Sequence, residues 1–405
     1  MSPTITPTRH GVRDEGSVEE VEARHRHPTA HAGRKTRRPP PSVQFYGLAV
    51  IIGILVALGL VMVLSASSVM SLHTDGSAWT YFVKQSLWAL LGVVALLATA
   101  KIPYHFWRRL VPLALLGSFA LMVIVLLPGI GVSVNGARSW IHFGYFAVQP
   151  SEALKFALLL YCADLLARRA DRMNDVRATL YPMLAVLGIS GVLLMLQPDL
   201  GGALVMASIV LGVAFIAGTP LVPLAGTAGL ASLVGFVFVM KADYRRERWL
   251  AFLNLAQHKQ DSGFQVWQSL IGIASGGVTG VGLGASKLKW GFLPEAHTDF
   301  ILSIVGEELG LLGILFVIGL FGVLVWRGLR TAFRARDVFG AYLAFGITAM
   351  FGLQALVNIG VVLGSLPTKG LPLPFISYGG TAMVTLGLGL GILMSIHRAK
   401  RLIQT

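Results

Sequence analysis

Ten long apolar stretches constrain this chain more than any other feature of its sequence. A helix needs about 20 consecutive, mostly apolar residues to cross the hydrocarbon core of a bilayer. Each stretch reaches or approaches that length, so the sequence predicts an all-α polytopic membrane protein with ten transmembrane helices. The predicted spans cover residues 44–67, 80–100, 111–128, 151–167, 179–198, 200–218, 220–240, 300–326, 338–364 and 381–396.

Composition agrees with a membrane protein and argues against nucleic acid as a partner. Only 13% of the 405 residues are charged, whereas soluble domains carry roughly 25%. The net charge of +14 arises largely from Lys and Arg between the apolar stretches, where such residues orient a membrane protein. The single cysteine, Cys162, lies inside an apolar stretch, so no internal disulfide is expected.

The placement of Lys and Arg predicts which side of the membrane each segment faces. The short loops on the side of the N-terminus carry most of these cations, whereas the short loops opposite hold only Arg138 and Lys369. Cytoplasmic loops are enriched in Lys and Arg, so both termini are predicted to be cytoplasmic. Residues 1–42 are predicted to be a disordered basic tail, 43–396 the membrane domain, and 397–405 a short cytoplasmic tail.

The segment 241–299 is then a large extracytoplasmic loop between the seventh and eighth helices. Its apolar anchors favour a folded cap over a disordered segment. It also carries more cations than its side of the membrane predicts, although long loops escape the orientation rule. Binding of an anion at the outer face would explain them, since Arg and Lys clamps suit a phosphate or diphosphate. These cations are Lys241, Arg245, Arg246, Arg248, Lys259, Lys287 and Lys289.

Ionisable residues within predicted spans are functional candidates by default. Glu152 and Lys155 share one helical face, and a functional role and a structural ion pair are equally open for them. One of Glu307 and Glu308 is expected to meet a basic partner inside the bundle, for instance Lys155. Asp164 lies near the cytoplasmic end of its span, where an interfacial position explains it.

Three further polar residues have structural explanations. Asp199 precedes the sixth span and is predicted to cap it. Gln354 and Asn358 lie four residues apart in the ninth span, where amides most often hydrogen-bond between helices.

One carboxylate, Asp299, lies at the exit of the large loop beside His297. The sequence contains no His-rich metal cluster, no G-x-S-x-G elbow and no Walker loop, and one His with one Asp is weak evidence for a metal site. Two chemistries stay open at this point. Asp299 is either a general base acting on a lipid-phosphate substrate or part of an ion-coupled carrier.

The ordered motifs of the membrane part resemble those of the SEDS family (shape, elongation, division and sporulation). PEAHTDF followed by GEELG is more similar to the division type of that family than to the elongation type. The segment after Asn254 departs from the family pattern, and the chain has ISYGGTA where ISYGGSS is common. The matching motifs are NGARSWI, QPSEALK, QPDLG, YRRERWLAFLN, GFQVWQSLIGIASGGVTGVGLGASKLKW, LPEAHTDFI, GEELG and LPTKGLPLPFISYGGTA.

The resemblance implies ten transmembrane helices and peptidoglycan glycosyltransferase activity. Such an enzyme polymerises lipid II at the outer face of the bacterial cytoplasmic membrane, here at the division septum. It works with a class B penicillin-binding protein and other divisome proteins, surrounded by membrane lipids. The resemblance also implies that Asp299 is the essential general base and that undecaprenyl diphosphate is the leaving group.

The candidate substrate-binding residues combine the loop cations with nearby polar groups. No cofactor is required by the resemblance, which leaves open a divalent cation, Mg²⁺ or Mn²⁺, that assists the diphosphate. Three alternatives remain: a lipid II flippase that uses Lys155, Glu307 and Asn358, an elongation-type polymerase, and a scaffold that recruits division proteins. The candidates are Arg138, Glu152, Lys155, Arg245, Arg246, Arg248, Lys287, Lys289, His297, Glu307, Lys369 and Ser377.

Overall fold

Helices dominate the parts of the chain that the computed structural model describes, which are residues 43–134, 136–144 and 146–399. Twelve α-helices lie in these ranges. In chain order they are α1 (Val43–Asp75), α2 (Thr80–Lys101), α3 (Phe106–Ile124), α4 (Pro150–Arg168), α5 (Val176–Leu196), α6 (Leu200–Ile216), α7 (Leu221–Met240), α8 (Asp243–Leu253), α9 (Phe264–Gly276), α10 (Ile301–Phe333), α11 (Val338–Val362) and α12 (Gly380–Ala399).

Eight of the helices in the described ranges are long and apolar enough to cross a membrane, namely α1, α2, α3, α5, α7, α10, α11 and α12. Helix α6 is apolar but shorter, and α4 carries four charged residues within its length. These ten helices coincide with the ten spans that the sequence predicts. The chain is therefore a multi-pass membrane protein, and the crossing of α4 and α6 stays a prediction.

Three long segments meet at one end of the bundle, which we call the loop end. The first contains a small antiparallel sheet of β1 (Gly131–Val134), β2 (Ala137–Phe143) and β3 (Phe146–Val148), in that order. The second, 241–299, contains α8, α9 and a single 3₁₀ turn at Leu288–Trp290. The third joins α11 to α12. The sheet was not predicted from the sequence, whereas the folded nature of 241–299 was.

Helix α10 is broken near the loop end at Gly310, whose φ of 68° and ψ of −164° are not helical. The segment that follows α9 fills the break. Val281 and Gly282 donate backbone N–H groups to the carbonyls of Glu307 and Glu308, and Leu311 and Leu312 donate to Gly277 and Val278. Backbone groups in a membrane must find partners inside the protein. The inserted segment supplies hydrogen-bond partners for the backbone groups at the break and fixes the large loop to α10.

Helices α2 and α12 approach each other closely because glycine lies at their contact. A Cβ at Gly387 would lie 2.2 Å from the carbonyl oxygen of Gly92, which is too close for any side chain. Close approach through small residues is the usual way in which membrane helices gain packing contacts. The contact places the start of α12, and with it the preceding loop, against α2.

The opposite end of the bundle is held by charged groups. Asp164 accepts hydrogen bonds from Arg108 at 2.7 Å and from Arg168 at 2.8 Å, and the hydroxyl of Tyr104 donates to Asp337. Asp164 therefore has a structural role near the end of α4, and its position at the membrane interface stays a prediction.

Several predicted boundaries differ from the structure. Helix α1 runs to Asp75 and α10 to Phe333, beyond the predicted ends at 67 and 326, because polar residues continue a helix once it leaves the apolar region. Helix α12 also continues past residue 396 to Ala399. The predicted tail 1–42 and residues 400–405 of the second tail lie outside the described residues.

Candidate functional site

Asp299 is the penultimate residue of a turn that leads into α10. The carbonyl of Glu295 accepts from the N–H groups of Thr298 at 3.2 Å and Phe300 at 3.3 Å, and the Thr298 hydroxyl donates to the Glu295 carboxylate at 2.7 Å. Glu295 has a φ of 57°, a conformation that side chains rarely adopt and that clusters at functional sites. The side-chain amide of Asn358 donates to the carbonyl of Asp299 at 2.7 Å. The position of Asp299 is thus fixed through its main chain.

The loop between α11 and α12 is attached to the same turn. The Ser377 hydroxyl donates to the carbonyl of Thr298 at 2.5 Å, and the N–H of Tyr378 donates to the carbonyl of His297 at 2.9 Å. Asn358 also donates to Leu371, at 2.8 Å. Asn358 therefore joins a helix to two loops, which extends the predicted role as a hydrogen-bonding residue of the bundle.

Helix α2 supports both loops from the side. The Gln85 amide donates to the carbonyl of Ser377 and accepts from the N–H of Gly379, both at 3.2 Å. The ring of Tyr81 packs 5.0 Å from the ring of His297 and 5.2 Å from that of Tyr378. Burial, opposed by the charge of Glu295, lowers the pKa of His297, which favours an imidazole that packs as an aromatic ring.

The side-chain oxygens of Asp299 lack the hydrogen bonds that fix its main chain. Within residues 43–134, 136–144 and 146–399, no donor makes a hydrogen bond to its side-chain oxygens. Oδ2 faces the loop at Gly370, where an added Cβ would lie 3.5 Å away. Burial, reinforced by the charge of Glu295 and opposed by Arg248, raises the pKa of Asp299 to about 7. A carboxylate with such a pKa can both hold and release a proton near neutral pH.

Cations from two loops converge beside this carboxylate. Arg248 acts electrostatically on Asp299, and both Arg248 and Arg245 act on Lys369. Burial, together with these two guanidinium groups, lowers the pKa of Lys369, and only Asp199 opposes that shift. A bound anion would offset the repulsion between these partly buried cations, so the region favours anion binding. The structure thus brings three of the predicted cations together.

A buried polar cluster adjoins the cations on the inner side. Lys155 donates to Glu152 at 2.8 Å and to Gln354 at 3.1 Å, and Gln354 donates to the carbonyl of Pro372 at 2.9 Å. The charges of this pair also act on Asp199. Asp199 itself accepts from the N–H of Gly202 at 2.8 Å, which confirms that it caps α6. Glu152 and Lys155 thus form an ion pair that supports the loop.

The basic partner expected for one of Glu307 and Glu308 is Lys289, whose Nζ lies 3.9 Å from Glu308, and Lys155 was the wrong candidate. Glu307 forms no ion pair with a described residue and bonds to the large loop. Its Oε1 accepts from the N–H of Lys287 at 3.0 Å, and Oε2 accepts from the hydroxyl of Ser286 at 2.5 Å and the N–H of Leu288 at 3.3 Å. The carboxylate thus satisfies donors of the large loop. The loop returns into the bundle beside the break in α10, which no local sequence pattern predicts.

Four predicted cations lie away from the group of Arg245, Arg248 and Lys369, judged by their described contacts. Arg138 is exposed on β2, pairs with Ser133 of β1, and has its side chain near Gly131. Arg246 is half exposed and lies 3.4 Å from Asp243. The Lys287 side chain is exposed, and Lys289 donates to the carbonyl of Gly284 and lies 3.9 Å from Glu308.

The described residues bring no three His, Cys, Asp or Glu side chains together in a way that could hold a metal ion. Near Asp299 the only further carboxylate acting on it is that of Glu295, which already accepts from Thr298. The residues therefore do not form a complete protein ligand set for Mg²⁺ or Mn²⁺.

Known proteins are similar to this chain along most of its length. The family model FTSW_RODA_SPOVE, a cell cycle protein family, matches residues 46–402. The chain belongs to this family. It is 43% identical over 342 residues to a probable peptidoglycan glycosyltransferase FtsW of Geobacter metallireducens, covering 84% of this chain and 91% of that protein. It is 38% identical over 355 residues to the stage V sporulation protein E of Bacillus subtilis, covering 87% and 97%.

Solved structures of the family have the same fold. A chain from a peptidoglycan synthase complex superposes with a TM-score of 0.73 at 31% identity, covering 88% of this chain and 98% of that one. The rod shape determining protein RodA of Thermus thermophilus superposes with a TM-score of 0.64 at 28% identity, covering 88% and 97%.

The structure adds site residues that sequence reasoning missed. Tyr81 and Gln85 belong to α2 and meet the turn of Asp299 and the loop before α12 only through the fold. Glu295 acts on Asp299 from within the same turn. Its proximity in sequence was a signal, since two carboxylates so close together raise each other's pKa.

Proposed function

We propose that this protein is a peptidoglycan glycosyltransferase that polymerises lipid II into glycan strands. The observation that carries the proposal is the Asp299 carboxylate, which has a pKa near neutrality, lacks a described hydrogen-bond donor and lies beside a group of cations. The proposed reaction needs a carboxylate that can accept a proton and, next to it, cations that can hold a diphosphate. The names of relatives such as the FtsW of G. metallireducens support the same activity.

In the proposed reaction, Asp299 takes the proton from the attacking hydroxyl of the acceptor sugar. The oxygen of that hydroxyl then bonds to the anomeric carbon of the lipid-linked donor. The bond from the anomeric carbon to the diphosphate oxygen breaks, and undecaprenyl diphosphate leaves with the electron pair. The proton on Asp299 returns to solvent before the next turnover. A general base of this kind contributes about 10²–10⁴-fold to the rate.

The leaving diphosphate gains negative charge in this step, and we assign its stabilisation to Arg245, Arg248 and Lys369. Their mutual repulsion in the absence of an anion makes binding of a diphosphate favourable. Glu152 and Lys155 hold the wall of the same region through Gln354. His297 and Ser377 position the turn, and Glu307 anchors the large loop.

The remaining predicted cations have no assigned part in the reaction, namely Arg138, Arg246, Lys287 and Lys289. Because the site lacks a complete protein ligand set for a metal, no step is assigned to a divalent cation.

We also propose that the loop end faces the outside of the cytoplasmic membrane, that both termini are cytoplasmic, and that the protein acts at the division septum. The charge distribution supports that orientation. A class B penicillin-binding protein is the proposed partner, together with other divisome proteins. The similar chain in a peptidoglycan synthase complex supports such a partnership, and the FtsW relatives support a division role over an elongation role.

A polymerisation assay with purified protein, its partner and lipid II tests the proposal. Wild-type protein is expected to produce glycan strands, and Asp299→Asn is expected to produce none while still inserting into membranes. Full polymerisation by Asp299→Asn would refute the role of Asp299. Glycan synthesis absent from wild-type protein with its partner would refute the activity.

A lipid II flippase is the second candidate, and the buried pair of Glu152 and Lys155 is the observation that favours it. Charged groups inside a membrane bundle mark transport paths in many carriers. Transport of lipid II into liposomes that is lost in Lys155→Ala but kept in Asp299→Asn would support the flippase over the polymerase.

A further inference from the structure

Asp199 caps α6, but a cap does not require its negative charge. Its Oδ1 accepts from the N–H of Gly202 at 2.8 Å, and a neutral Asn caps a helix as well as Asp does. Burial raises the pKa of Asp199, so the ionised side chain costs free energy that an amide would not. The charge therefore calls for a function other than capping.

A tight turn from Lys369 to Leu371 joins the surroundings of Asp199 to those of Asp299. The N–H of Leu371 donates to the carbonyl of Lys369 at 2.9 Å. An added Cβ on the middle residue of the turn would lie 3.5 Å from Asp299 Oδ2. An added Cβ at Gly201 would lie 3.5 Å from Leu371 Cγ and 3.7 Å from Asp199 Oδ1. The backbone that carries Lys369 is thus held near both the proposed base and the cap of α6.

Two cations act on Asp199, namely Lys155 and Lys369. Lys155 already forms an ion pair with Glu152 at 2.8 Å. Lys369 forms no ion pair with a described residue, and two guanidinium groups of α8 repel it. Among the described residues, Asp199 is the group that favours its ammonium form. The effect is mutual, because each of two opposite charges favours the ionised form of the other.

We propose that Asp199 is a positioning residue of the diphosphate site, which acts as the counter-charge of Lys369 while no anion is bound. This inference rests on the proposed glycosyltransferase function. Asp199 makes no direct ion pair with Lys369, so the ammonium donors stay available to a ligand. A diphosphate that binds then replaces Asp199 as the counter-charge of Lys369 and its two neighbouring guanidinium groups.

Binding of inorganic diphosphate to the full-length protein in detergent, measured by calorimetry from about pH 6 to about pH 10, tests this role. Asp199→Asn keeps the cap and removes the charge. At the acid end Lys369 is charged in both proteins, and the variant should bind diphosphate at least as tightly as wild type, because a nearby negative charge is gone.

The order should reverse as the pH rises, because Lys369 of the variant loses its proton at a lower pH than Lys369 of wild type. The dissociation constant of the variant should then exceed that of wild type by about fivefold, the upper range for a partly exposed charge pair. Both proteins meet the same ionic form of the probe, so the ratio of the two constants reports the protein. The effect lies in binding, since a bound diphosphate itself favours the charged form of Lys369.

Three further variants separate the charge from the fold. Asp199→Ser, a second neutral cap, should repeat the behaviour of Asp199→Asn. In Lys369→Arg the cation keeps its charge over the whole pH range, so adding Asp199→Asn should produce no pH-dependent change. Asp175→Asn is the matched control, because exposed Asp175 caps α5 by accepting from two N–H groups at 3.1 Å. It should bind diphosphate as wild type does at every pH.

The two levels of the account fail in different ways. A ratio that does not change with pH, or a change with pH that persists in Lys369→Arg, would refute the role of Asp199 alone. Wild-type protein that makes no glycan from lipid II refutes the proposed function, whichever ratio is found.

Discussion

Asp299 and Glu307 lie near each other in sequence, on either side of the start of α10, yet the protein treats their carboxylates in opposite ways. Glu307 accepts three hydrogen bonds from the large loop and is fully buried. Asp299 is anchored through its carbonyl, and no described donor bonds to its side-chain oxygens. A carboxylate with a complete set of donors holds structure together. One that is buried without donors has its pKa raised and is available for proton transfer.

The comparison predicts that Asp299→Asn has the largest effect on rate and a small effect on stability. Removing a general base should lower the polymerisation rate by about 10²–10⁴-fold. The pKa of Asp299 is higher in the folded protein than in an unfolded chain, so ionisation opposes folding as the pH rises through the range from about 4 to 7. The Asn variant should therefore melt at the same temperature as wild type or higher above pH 7, as measured by thermal unfolding in detergent. A clear loss of thermal stability would contradict this account.

The cations near Asp299 should matter according to their position and not only their charge. Lys369→Met removes the positive charge that lies near Arg245 and Arg248. It should lower kcat/KM for lipid II by about 10–100-fold, because the leaving diphosphate loses one of its three cations.

Lys287→Met is the matched control, because it removes an exposed charge from the large loop. It should stay within about twofold of wild type, as expected for an exposed charge. Equal losses in the two variants would show that total charge, and not the site, determines the rate.

Glu307→Gln should destabilise the protein by about 2 kcal/mol, because an amide nitrogen replaces one carboxylate oxygen and leaves Lys287 N–H or Leu288 N–H without an acceptor. Polymerisation should fall as well, since these donors belong to the loop that leads to Asp299. Thermal unfolding of the variant, measured beside its activity, checks both effects.

Much of this molecule could be predicted from local patterns. Apolar length located the helices, the charge distribution separated the loops, and Asp199 was correctly assigned as a cap. The motif around Asp299 pointed to a carboxylate on which Arg248 acts and whose pKa the structure raises.

The features that could not be predicted from the sequence depend on long-range contacts. The insertion of the large loop into the break at Gly310 explains why Glu307 bonds to residues 286–288 instead of Lys155. The support from Tyr81, and the separation of Lys369 from Arg138, likewise follow from packing between distant segments, for which a single sequence contains no periodic signal.

The pH dependence of polymerisation tests most directly whether Asp299 is the base. The rate should be constant above about pH 7 and should fall about tenfold per pH unit below it, because only the ionised carboxylate accepts the proton. Glu295→Gln keeps an oxygen that can accept from Thr298 but removes the charge that helps to raise the pKa of Asp299. Its profile should therefore shift to lower pH. An unchanged midpoint in Glu295→Gln, or a rate that does not fall in acid, would contradict the assignment of Asp299 as the base.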